Sequence, residues 1–235
     1  VHLLNLLTIP AIVMIYYFRR YTYSLKGAII AFIAGCIIVG IVQVGMIQYT
    51  MKGAGLFDIF IVNTFSLPFF SGFTLYFIIL AVIIWYGLRF NEKTFTKTKF
   101  TVWLAVLLML LLVPFFNTSE FGIGTILKIL LAIGIALISK LVKNSKVLKT
   151  VKLALWCFAF MLLGYSTYLI SIIRANADTA IDMNDVSDPI SLVYYLAREQ
   201  YGSAPIVYGP HFLAQPAGLK EKEMRYVKSN DKYIA

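Results

Sequence analysis

Few side chains in this sequence can do chemistry. Asp58 and Asn63 stand five residues apart in an apolar run, Lys52 precedes them, and His2 with Asn5 opens the first apolar stretch. A carboxylate such as Asp58 can act as a general base toward a hydroxyl, or share a divalent metal with a phosphate. An ammonium such as Lys52 can hold a phosphate as a point charge. Polar groups inside apolar segments point to function because leaving them unpaired in hydrocarbon is costly. Hydrogen bonding between helices or at the interface remains the alternative reading for His2 and Asn5, and a plain surface acid for Asp58 and Glu120. Asp178, Asp182, Asn184, Asp185 and Asp188 form an acidic cluster further on. A calcium loop would need a central Gly and a closing Glu, and counting from Asp182 meets Ser187 and Val193 instead, so a solvated turn with a helix cap is expected. Cys36 and Cys157 lie in apolar runs and read as small buried hydrophobes. No Ser–His–Asp set, P-loop, dinucleotide glycine motif or HExxH occurs. No cofactor or metal site is identified, although a divalent metal fits the chemistry of a carboxylate beside a lipid phosphate.

The elements that must position these groups belong in lipid. The 235 residues are 60% hydrophobic and 14% charged, with a mean hydropathy of +0.81. Soluble chains run roughly 45–50% apolar and about 25% charged, so a soluble enzyme and a disordered basic tail are excluded. The net charge of +10 could suggest a nucleic-acid binder, but its distribution argues otherwise. Residues 1–173 carry 14 basic side chains against three acidic ones, whereas residues 174–235 carry 7 against 8. The excess sits in short connections between apolar runs, which is a topology signal and not a nucleic-acid footprint.

A spanning helix needs about 20 mostly apolar residues. Six runs qualify, at about 1–18, 27–50, 72–88, 100–116, 122–142 and 152–173. Basic residues near the five connections number 3, 1, 4, 0 and 5, an alternation that places the first, third and fifth on the cytoplasmic side. Trp85, Trp103 and Trp156 each lie four residues from a basic side chain and read as one interfacial belt there. The segment 55–71 is too apolar for a solvated loop and is broken by Pro68, so it is expected to be re-entrant or interfacial at the outer face.

The tail, 174–235, then emerges outside, in the periplasm of a diderm bacterium. Asp188-Pro189 offers an N-cap followed by Pro at the first helical position. Ile190, Val193, Tyr194, Ala197 and Tyr201 recur at helical spacing up to Gly202. Residues 205–209, 224–228 and 232–234 look like short strands, the last two joined by a Ser-Asn-Asp turn. The expected fold is an all-α polytopic membrane protein of six transmembrane helices followed by the start of a small α/β extracytoplasmic domain. The chain opens inside an apolar stretch without Met and stops within a strand pattern, which predicts a portion of a longer protein.

Three stretches carry a resemblance. They are Val1-His-Leu-Leu-Asn-Leu-Leu-Thr-Ile-Pro10 leading into Arg19-Arg20, Asn63 to Gly72, and Ile173 onward through Arg198-Glu199-Gln200-Tyr201-Gly202. In order and over nearly the whole chain they resemble the bacterial multi-pass family called domain of unknown function 2723, typical of Bacteroidota. That family is similar to GT-C protein O-mannosyltransferases, which move a sugar from a polyprenyl-phosphate donor to a hydroxyl of a protein acceptor. The resemblance implies a multi-pass protein of the inner membrane with a periplasmic tail. It matches His2, Asn63 and Arg198 to Gly202 to family positions without giving them a role, and the catalytic carboxylate of such enzymes, in the first outward loop, has no counterpart here. Substrate contacts are expected at His2, Lys52, Asp58 and Asn63. A transporter or flippase of a lipid-linked saccharide and a non-catalytic assembly protein of the cell envelope are the alternatives.

Overall fold

A serine at the end of the first basic connection starts the longest element of the protein. In the computed structural model, which describes residues 3–90, 96–112, 129–130, 132–135, 137, 145–177, 180–181, 183–199 and 225–234, Ser24 accepts a hydrogen bond from the Gly27 amide at 3.1 Å. This N-cap satisfies one of the orphan donors of the first turn. The chain is then helical without a break to Phe65, as α2 (Leu25–Gly40), a π-helical stretch (Ile41–Gln48) and α3 (Tyr49–Phe65). Forty-one residues at about 1.5 Å each reach roughly 60 Å, twice the hydrocarbon thickness of about 30 Å.

The two halves of this helix bury different faces. Along α2 the side chains of Ile29, Ile30, Ile33 and Ile37 are exposed, whereas in α3 Met51, Ala54, Leu56, Ile59 and Val62 are buried. The first half therefore presents its apolar surface to lipid and the second to protein. Helix α1 (Thr8–Arg20), entered through a 3₁₀ turn (Leu3–Leu7), packs along α2. The small-residue ladder makes that approach possible: Gly27 faces the Tyr17 phenol, Ala31 is buried, and a Cβ on Gly35 would stand 2.7 Å from the Pro10 Cα.

After a turn over residues 66–70 the chain reverses into α4 (Ser71–Leu88), which packs antiparallel on α3. Helix α5 (Lys97–Leu112) reverses again: the Tyr76 hydroxyl donates to the Leu110 carbonyl (3.1 Å) and the Trp103 indole donates to the Ile83 carbonyl (2.8 Å). Helix α6 (Ser145–Tyr165) lays Leu155 against Gly87 and is continued by a 3₁₀ turn and α7 (Leu169–Ala175). Beyond the helices, Asn176 donates to the carbonyls of Ile172 and Ser187, both at 2.9 Å, which folds the chain back toward α8 (Pro189–Leu196). Strands β1 (Val227–Lys228) and β2 (Tyr233–Ile234) pair antiparallel with Lys228 opposite Tyr233.

Several expectations change here. The protein is mostly helical and ends in a two-stranded sheet, but among the described residues three helices, not six, are long and apolar enough to span: 25–65, 71–88 and 148–175. Helix α1, of 13 residues, falls short because a 3₁₀ turn takes up the start of its apolar run, and α5 is described over 16 residues, 97–112, with the rest of its run outside the described residues. Of the run 122–142 only seven residues are described, all helical. Residues 55–65 continue the preceding helix instead of forming a broken segment of their own, since Gly53 and Gly55 are used for helix packing and the reversal waits for Pro68. Trp103 is buried with its indole bonded inside, so only Trp85 and Trp156 stand exposed. Cys36 and Cys157 are exposed on the helix surface and not buried among side chains.

Gly72 sets the spacing at the reversal. A Cβ there would lie 2.5 Å from the Asp58 Cα and 2.7 Å from the Phe57 carbonyl oxygen, both backbone atoms that cannot give way. Gly72→Ala is therefore expected to push α4 off α3 and cost about 1–3 kcal/mol, as overpacking does. Thermal unfolding in detergent checks this, with Gly134→Ala as the control because nothing lies within 4 Å of a Cβ there.

Candidate functional site

Two of the residues singled out for chemistry converge on one partner. Helix α3 carries Asp58 and Asn63 on faces about 140° apart, and β2 lies across the end of the helix so that both reach Tyr233. Asn63 grips the backbone of Tyr233 from both sides: its amide nitrogen donates to the carbonyl at 3.0 Å, and its amide oxygen accepts from the N–H at 2.9 Å. A side-chain amide thus stands in for the neighbouring strand that the edge of a two-stranded sheet lacks. Phe69 meets the Tyr233 ring edge to face at 5.0 Å.

Asp58 is fully buried. One carboxylate oxygen accepts from the Phe73 N–H (3.1 Å), and the other from the Phe70 N–H (3.3 Å) and from the Tyr233 hydroxyl (2.8 Å). The first two donors are orphan amides at the start of α4, whose N-cap residue, Phe70, has no oxygen to offer. Asp58 caps the next helix from outside it, where its negative charge also meets the positive end of the helix dipole. The turn needs such a hold. Ser66 and Phe70 have φ of 53° and 73°, a left-handed backbone that costs a side-chain-bearing residue about 1 kcal/mol or more.

The tail is fastened by further contacts. Asp188 caps α8, accepting from the amides of Ile190 (2.8 Å) and Ser191 (3.1 Å), and is also bonded by the Ser191 hydroxyl. Helix α8 lies on α3 where glycine leaves room, a Cβ on Gly55 being 2.8 Å from the Ile190 Cδ1. The Tyr194 hydroxyl accepts from the Tyr226 amide at 3.0 Å, with the Arg225 guanidinium 4.9 Å above its ring.

Of the other residues singled out, Lys52 is half-buried on α3, roughly 120° around the helix from Asp58. His2, Glu120, Gln200, Tyr201 and Gly202 lie outside the described residues. Arg198 is exposed with a left-handed φ of 60°, and Glu199 pairs with Arg225. Among the described residues no three His, Cys, Asp or Glu side chains gather as a metal would require. The residue that the sequence reading missed is Tyr233. Its place in a strand was expected, but nothing local announces that its hydroxyl reaches a carboxylate 175 residues away.

Tyr233 makes the docking sensitive to alkali. Burial first, and then the Asp58 charge and hydrogen bond, push its phenol far above the ordinary value of about 10. The folded state holds a proton that the released tail gives up, so the stabilisation is complete below about pH 10 and declines as pH rises beyond it. A cysteine at the half-buried Ser229→Cys position, in a chain with Cys36 and Cys157 replaced, should become more reactive above that pH by more than the thiol's own ionisation explains. Tyr233→Phe should remove this excess and loosen the tail by about 1.5–3 kcal/mol at neutral pH, the worth of a hydrogen bond to a charged group. No protein-family model, curated protein or solved structure matches the chain.

Proposed function

We propose that these helices are the membrane scaffold of a GT-C-like glycosyltransferase, which moves a sugar from a polyprenyl-phosphate donor to a protein hydroxyl. Its place in this reading is the bacterial inner membrane, with the tail in the periplasm. Two things support it: the resemblance in Val1 to Pro10, Asn63 to Gly72 and Arg198 to Gly202, and the docking of the tail. The docking carries the argument. A transferase that takes its donor from lipid and its acceptor from water needs an extramembrane element held at a fixed height over lipid-exposed helices. Asp58, Asn63 and Tyr233 fasten such an element to α3.

In this reading the chemistry is inverting transfer. A carboxylate takes the proton of a Ser or Thr hydroxyl, the oxygen attacks the anomeric carbon, and the C–O bond to the lipid phosphate breaks. Asp58 is not assigned as that base, since three protein donors already occupy its oxygens. Lys52, a half-buried cation on α3, is the residue suited to the donor phosphate in this reading, with His2, at the outer end of the first apolar run, as its companion.

A transporter of a lipid-linked saccharide is the second reading. A buried carboxylate facing the N-terminus of a helix after a chain reversal is the kind of feature such proteins use. Reconstitution separates the two. The full-length protein in liposomes is expected to move radiolabelled hexose from a polyprenyl-phosphate donor to a Ser/Thr peptide, with Lys52→Ala or His2→Ala weakening donor use roughly tenfold, the loss of one charge-assisted contact. Inward movement of the labelled donor without transfer supports the transporter, and neither activity supports an assembly role.

The orientation has its own test. In intact cells, a membrane-impermeant thiol reagent is expected to label Ser203→Cys and to miss Ser145→Cys. Labelling at Ser145→Cys overturns the placement of the basic connections in the cytoplasm.

A further inference from the structure

At the end of α4 that carries Arg89, α4 and α5 diverge around an open groove of about 470 Å³. Its walls are Val82, Trp85 and Tyr86 from α4 and Val102 and Val106 from α5, all exposed, with the buried Trp103 as the floor. That floor is fixed. The Trp103 indole donates to the Ile83 carbonyl at 2.8 Å, and its ring occupies the space that a Cβ on Gly87 would need. The volume lies within the roughly 300–1,000 Å³ of small-molecule sites.

The groove is apolar along its length and cationic at one end. Lys99 and Thr98 line its mouth. The Arg89 guanidinium sits 4.2 Å above the ring of Trp85, a wall residue, which holds a second cation at the rim. The first turn of α5 begins beside them at Lys97, so the positive end of its helix dipole adds to the field. A long apolar body with one anionic end complements this shape and charge, and basic pockets between membrane helices are where anionic head groups bind.

We infer that this groove binds one anionic glycerophospholipid, with an acyl chain along Trp103 and Val102 and the phosphate held by Lys99, Arg89 and Thr98. The site lies at the other end of α4 from Asp58 and is distinct from the donor position proposed at Lys52 and His2. The inference rests on the membrane reading and not on sugar transfer. Flotation with phosphatidylcholine vesicles tests that reading separately.

The test is lipid binding to the purified full chain in neutral detergent, read by native mass spectrometry and by the thermal shift on adding dioleoyl-phosphatidylglycerol or dioleoyl-phosphatidylcholine. At about fivefold per cation, the phosphatidylglycerol is expected to bind roughly thirtyfold tighter. Lys99→Gln should cut that preference about fivefold and leave phosphatidylcholine binding unchanged. Val102→Trp, at an exposed wall position, should fill the groove and abolish binding of both lipids while keeping the cations. Equal affinity of the wild-type chain for the two lipids overturns the inference without recourse to any variant. An unchanged preference in Lys99→Gln, or displacement of the phosphatidylglycerol by inorganic phosphate or by an equimolar polyprenyl phosphate, overturns it as well.

Discussion

A carboxylate removed from water has to be satisfied by the protein that buries it, and the placement of Asp58 imposes that requirement on two separate stretches of chain. An unpaired buried charge is untenable, so donors must be brought to it. Two come from the first turn of α4 and one from the far end of the tail. Each solves a problem of its own. Helix α4 starts at a phenylalanine that cannot cap it, the turn before it holds two residues in a left-handed backbone, and a two-stranded sheet is too small to stand alone. One buried charge answers all three, which ties the helix reversal and the docking of the tail to the same atoms.

Close approach is what makes this arrangement possible. Gly72 lets the backbone of α4 touch that of α3, Gly53 receives the Tyr76 phenol, and Gly55 receives Ile190 of α8. Between them lies Ala54, with no exposed surface. A short run of small residues on one helix therefore accepts a membrane helix on one side and a tail helix on another. Where apolar residues gain little by leaving lipid for protein, such contact is built from packing and hydrogen bonds.

The sequence discloses those features whose causes are local. Membrane character follows from composition, the Gly27–Ala31–Gly35 ladder marks a close helix contact on α2, whose partner proves to be α1, and Asp188-Pro189 marks the start of α8. The Ser-Asn-Asp turn marks the β1–β2 hairpin. Features with distant causes stayed hidden. Residues 55–71 look like a re-entrant or interfacial segment because Pro68 and Gly72 break the apolar run, yet the helix runs on to Phe65, Gly72 serves the contact of α4 with α3 and Asp58 caps α4. The count of spans among the described residues differs for a related reason: hydropathy measures how long an apolar run is, not where its α-helix begins, and α1 gives the start of its run to a 3₁₀ turn. Asp58 and Asn63 stood out as polar groups in an apolar run, and both do make buried or half-buried hydrogen bonds. Their common partner, Tyr233, is 170 and more residues away, beyond the reach of any local pattern.

The π-helical stretch Ile41–Gln48 lies between the half of the long helix that faces α1 and the half that faces α4 and the tail. Its widened turns set the angle at which one face hands over to the other. Each residue added or removed there rotates one half against the other by about 100°. A single deletion would turn the α1–α2 pair as a unit against α3, α4 and the tail, while leaving the composition and hydropathy of the chain almost unaltered. The length of this stretch is therefore under a constraint that the identities of its residues are not, and in related sequences it should tolerate substitution far better than insertion.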